Sequence, residues 1–91
     1  MNKTELLNEV DNKLPEMKEL VKTIPLTWAE GFCEWVDKKG FIHTKRFTVP
    51  VSADRIKSWF AYYLPEGYSY TLTYREGMGA LIVRAKGKWE G

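Results

Sequence analysis

The chain has one cysteine, Cys33, and one histidine, His43. A lone cysteine cannot close an intramolecular disulfide, so this small domain must hold together without one, as expected in a reducing compartment. With so few soft ligands, a His/Cys metal centre is not expected. The chain also lacks an apolar run near the length of a membrane span. The segment after Met1 alternates charged and apolar residues rather than forming a signal-peptide core, so a cytoplasmic protein is expected. Internal repeats and low-complexity stretches are missing too.

What is present is aromatic and charged. Four Trp, five Tyr and four Phe occur in 91 residues. A chain of this length buries only about 60–65% of its unfolded surface. The aromatic rings therefore supply much of the core, and dimerisation is one route to further stability. The net charge of +2 hides a split. Residues 1–37 carry eight acids and four lysines, giving −4. Residues 38–91 carry ten bases and four acids, giving +6. One end suits an anionic partner, or the two halves compensate one another.

Hydrophobic spacing lays out the elements. Thr4 is a candidate N-cap, and Leu7, Val10, Leu14, Met17, Val21 and Ile24 follow at spacings of three and four. Leu6 and Leu20 widen that stripe. Pro15 removes a hydrogen bond to the carbonyl of Asp11, so the helix is expected to kink or split there, with a second piece over 15–23 closed by Ile24-Pro25. The stripe reads as core rather than as a free coiled coil.

Residues 27–51 read as a hairpin around Asp37-Lys38-Lys39-Gly40, a type I turn with a glycine bulge. A four-residue loop pairs Val36 with Phe41, Glu34 with His43 and Phe32 with Lys45. In that register both faces mix apolar and charged groups, and Cys33 and His43 point to opposite sides. Ser52 caps a helix over Ala53 to Leu64 with a stripe of Ile56, Trp59, Phe60, Tyr63 and Leu64.

Residues 68–89 form a second hairpin. Tyr68, Tyr70, Leu72 and Tyr74 lie on one face with Leu81, Val83 and Ala85. Ser69, Thr71, Thr73 and Arg75 lie on the other with Ile82, Arg84, Lys86 and Lys88. The order is αββαββ, giving an α+β fold: a four-stranded antiparallel sheet with a helix on one face and an N-terminal kinked or split helix. One domain, residues 1–91, divides into a helical segment (1–25) and a ββαββ core (26–91).

Catalytic chemistry finds little support. A Glu34–His43 pair is the minimal acid–base couple, but no nucleophile accompanies it, and a cross-strand charge pair explains it. Gly77-Met78-Gly79 joins strands instead of opening a helix, so it is a turn rather than a phosphate loop. The chain is therefore expected to be a non-enzymatic binding module without a cofactor. Arg75, Arg84, Lys86, Lys88, Thr71 and Thr73, extended by Lys45 and Arg46, form a basic, hydroxyl-rich face suited to nucleic acid or an acidic partner. The plainer reading is a solvated face with protective edge lysines. The alternative function is a small protein-binding inhibitor that occludes a partner such as a nucleic-acid enzyme. Its interface candidates are Trp35, Tyr62, Met78 and Trp89.

Overall fold

The computed structural model describes residues 1–20, 27–77 and 79–90, apart from the side chain of Leu20. Val21, Ile24, Pro25 and the 21–23 part of the expected second helical piece lie outside the described residues, as does Met78. The elements run α1 (Lys3–Leu20), β1 (Trp28–Val36), β2 (Ile42–Pro50), α2 (Ala53–Tyr63), β3 (Tyr68–Gly77) and β4 (Ala80–Trp89).

The fold is α+β, with one correction to the sheet. Its strand order is β2-β1-β4-β3, and β1 runs parallel to β4. The sheet is therefore mixed, not antiparallel throughout. Each hairpin is antiparallel. The two hairpins lie side by side through their β1 and β4 strands, and α2 carries the chain from one sheet edge to the other. Hydrophobic alternation within a strand reports its faces but not its neighbours, so it could not reveal this parallel junction.

Helix α1 starts earlier than expected. Asn2, not Thr4, caps it: the Asn2 side chain accepts from Glu5 N at 2.8 Å, and Glu5 Oε1 accepts from Asn2 N at 2.9 Å. This reciprocal pair satisfies two exposed amides of the first turn. Pro15 lies inside a single helix rather than dividing it. Leu6, Val10 and Leu14 are buried, while Leu7 and Met17 pack at the margin of the core. Anchoring on both sides of the proline holds the helix together across its missing hydrogen bond.

The first hairpin is shifted by one residue from the expected register. Val36 pairs with Ile42, Trp35 with His43, Glu34 with Thr44 and Phe32 with Arg46. Asp37 N donates to Phe41 O and Gly40 N to Asp37 O, both at 3.0 Å, so Asp37 and Phe41 close a three-residue loop. Gly40 has a φ of 88°, as the bulge position of this loop requires. Asp37 Oδ1 accepts from Lys39 N and Phe41 N, which fixes the turn.

Both helices cover the same sheet face. The central strands place small residues there: Ala29, Gly31 and Cys33 from β1, Ala85 and Gly87 from β4. The edge strands supply large rings. Phe47 of β2 lies over Gly31, and Tyr70 of β3 lies over Gly87. A Cβ at Gly31 would stand 2.0 Å from Phe47 Cζ, so the ring can occupy that place only because the strand has no side chain. On α2, Ile56, Phe60 and Leu64 are buried, but Trp59 is 37% exposed instead of belonging to the buried stripe. Its ring stacks on Tyr63 at 5.4 Å and on Phe47 at 5.9 Å, at the margin of the core.

Candidate nucleic-acid interface

The opposite sheet face is not packed against any described helix. Strand register arranges its side chains in rows that cross all four strands. From one end the rows are Pro50–Trp28–Ala80–Gly77 and Thr48–Glu30–Ile82–Arg75. The middle row is Arg46–Phe32–Arg84–Thr73. The last two are Thr44–Glu34–Lys86–Thr71 and Ile42–Val36–Lys88–Ser69. The face is thus cationic and hydroxyl-bearing over most of its length and apolar at the Trp28 end.

Arg75, Arg84, Lys86, Lys88, Thr71, Thr73 and Arg46 all share this face. Lys45 does not. It pairs with Cys33 and so projects from the helix side of β2. The one-residue register correction separates it from the patch. Trp35 also belongs to the helix side, where it is half-buried and stacks on His43 with ring centroids 5.2 Å apart. Trp89 packs edge-on against Tyr68 at 5.3 Å, at the far end of β4. Tyr62 is 78% exposed on α2 and meets Trp59 and Tyr63 edge-on.

The same correction dissolves the expected Glu34–His43 couple. Glu34 pairs with Lys86 at 3.5 Å on the open face. His43 pairs with Asp37 at 2.9 Å on the other side, and this bond holds the Asp37 carboxyl below its ordinary range. Cys33 and His43 turn out to share a face. Even so, Cys33 is fully buried, and desolvation pushes its thiol up to about 12, so it remains protonated at neutral pH.

Phe32 is the residue that sequence reading undervalued. It stands at the centre of the open face, half-buried, between two guanidinium groups. Arg84 lies 4.8 Å from its ring centroid and Arg46 lies 5.7 Å away. Arg46 also pairs with Glu30 at 3.2 Å. These residues border a depression of about 340 Å³ that reaches Thr73, Arg75 and Ile82. A signal was present: in β1 the large side chains alternate with Ala29, Gly31 and Cys33. Small residues on one face of a strand permit close helix packing and leave the aromatic residues on the other face.

Five cations and two carboxylates occupy the open face. Arg46 and Lys86 are paired with Glu30 and Glu34. Arg75, Arg84 and Lys88 have no carboxylate partner within ion-pair distance among the described residues. No group of three or more His, Cys, Asp or Glu side chains that could hold a metal occurs among them either. No described helix is long and apolar enough to cross a membrane. Comparison with known proteins finds no family model, curated protein or solved structure that matches the chain.

Proposed function

We propose that the protein is a non-enzymatic binding module that contacts nucleic acid through the open face of its sheet. The observation that carries this reading is the Arg46–Phe32–Arg84 row, an aromatic ring held between two guanidinium groups at the centre of a cationic face. Arginines and hydroxyls are the usual partners of phosphate, and a ring among them offers a surface to bases. Five cations stand against two carboxylates on this face, where a polyanion can approach without meeting the helices.

The test is a salt titration of binding to a panel of DNA and RNA. With three unpaired cations engaged, log K should fall with log salt at a slope of about −2 to −3, steeper on duplex than on single strands. Failure to bind any member of the panel at 50 mM salt removes this reading.

A second reading, a protein-binding inhibitor, is favoured by a separate feature. Trp59, Tyr62 and Tyr63 form a partly exposed aromatic cluster on α2, away from the basic face. Such residues anchor protein interfaces. Capture of a partner that survives nuclease treatment and is lost in Tyr62→Ala supports it; nuclease-sensitive capture opposes it.

A further inference from the structure

Resting on the nucleic-acid reading, we propose that the ligand is a single strand, with its sugar–phosphate backbone along β4 and an unpaired base over Phe32 of β1. Shape is the first argument. Four strands at about 4.8 Å spacing span about 14 Å between the outer strand axes, before side chains are added. A major groove is about 12 Å wide and takes one helix or a two-stranded ribbon. This face cannot enter a duplex groove, so it meets bases only where they are unpaired.

Charge placement is the second argument, and it gives the strand a position. On this face the cations without a carboxylate partner among the described residues, Arg75, Arg84 and Lys88, all belong to β3 and β4. On β4 the series Arg84, Lys86, Lys88 repeats every second residue, a step of about 6.8 Å along an extended strand. That is a ladder suited to an extended phosphate backbone, with Thr71 and Thr73 of β3 beside it. Strand β1 has the opposite character. Glu30 and Glu34 repel phosphate from it, while Phe32 between them presents an apolar ring. Phosphate is favoured on one side of the face and base on the other.

The third argument is the platform itself. The Arg84 guanidinium lies over the Phe32 ring, and when it turns to a phosphate it uncovers a planar face on which a base stacks. The adjoining depression of about 340 Å³ brings Ile82 and the Glu30 carboxylate to the same place. A base there gains an apolar contact and an acceptor for its exocyclic amine. Cytosine offers such a donor and thymine does not.

The experiment is fluorescence anisotropy with a labelled oligodeoxycytidine of about twelve nucleotides, a site size within the range of single-strand binders. Its competitors are oligodeoxythymidine, a mixed-sequence duplex of the same length and polyglutamate. The expected result is single-strand binding at least tenfold tighter than duplex binding, with cytidine preferred over thymidine. Phe32→Leu keeps the apolar volume but removes the π face. It should weaken single-strand binding about tenfold with the salt slope unchanged, because stacking releases no counterions. Arg84→Ala should instead reduce the slope by about 0.7. Duplex binding as tight as single-strand binding, or an unaltered affinity in Phe32→Leu, overturns the inference while leaving the nucleic-acid reading intact. No binding to any nucleic acid overturns both. Polyglutamate competing as well as the oligonucleotide overturns both in favour of an acidic protein surface.

Discussion

Replacing Gly31 by alanine should remove a large part of the stability of the domain, and only because of Phe47. The new methyl would occupy space 2.0–2.4 Å from three ring atoms of Phe47. The β1 backbone cannot yield, since it is paired to β2 on one side and β4 on the other. The ring must leave instead. It is 7% exposed, edge-on to Phe60 at 5.4 Å and stacked on Trp59 at 5.9 Å. Loss of all its packing would resemble Phe→Ala in a core, about 3–5 kcal/mol. Alanine is better than glycine in an extended strand by about 0.5–1 kcal/mol. The expected net cost is about 2–4 kcal/mol, against about 5–13 kcal/mol for a whole domain of this length. Urea unfolding followed by far-UV circular dichroism and tryptophan fluorescence measures it. The decisive comparison is the double-mutant cycle: in a Phe47→Ala background the same Gly31→Ala change should be neutral or slightly stabilising. Equal costs in both backgrounds would show that the ring is not what the glycine accommodates, and the register argument built on this pair would fail.

Further outcomes follow from named contacts. Cys33 should resist thiol reagents in the native protein at pH 8 and react at its full rate in denaturant, read by labelling and mass spectrometry. Its folded pKa of about 12 lies above the ordinary thiol value, so the unfolded chain loses this proton first; stability should fall as pH rises above about 9, by at most about 1.4 kcal/mol per unit from this group, as tested by alkaline urea titration. Glu34→Gln should free the Lys86 ammonium, now 3.5 Å from the carboxylate, and so tighten nucleic-acid binding and steepen its salt slope, whereas Lys45→Ala, on the other side of the sheet, should alter neither.

Legibility followed the physics of each element. The second hairpin was readable because its faces differ sharply: Tyr70, Leu81, Val83 and Ala85 on one, threonines and cations on the other. Its two-residue connection also leaves little freedom in register, since Gly77 pairs directly with Ala80. The first hairpin was harder because its hydrophobic code is inverted. β1 turns Ala29, Gly31 and Cys33 to the core and leaves Trp28 and Phe32 outside, so side-chain size gives the wrong orientation. A loop counted one residue too long moves every β2 side chain to the other face, carrying Lys45 onto the basic face and His43 to Glu34. The pairing of Gly31 with Phe47 could have corrected this, because a ring over a strand glycine fixes register as firmly as a turn does. The parallel contact between β1 and β4 had no local signal; it arises when two hairpins linked by a helix merge into one sheet.

The charge split along the chain takes on a different meaning in three dimensions. The acidic segment 1–37 does not form an acidic surface opposed to a basic one. In α1 the acids stand among Lys3, Lys13 and Lys18, and α2 adds Arg55 and Lys57 against Asp54. Lys57 reaches Asp11 across the two helices at 2.6 Å, and Lys13 pairs with Glu16 at 3.6 Å. The helical layer is therefore close to neutral: internal compensation accounts for it. The open sheet face carries an excess, with five cations against Glu30 and Glu34. On the proposed reading, a polyanion would be drawn to this side of the molecule, which would orient encounter rather than merely strengthen it. The two carboxylates then lie inside the attracting field, on the strand that carries Phe32. Carboxylates at that position weaken a surface built only for phosphate. In the proposed reading their place is to keep phosphate off β1 so that a base can lie there.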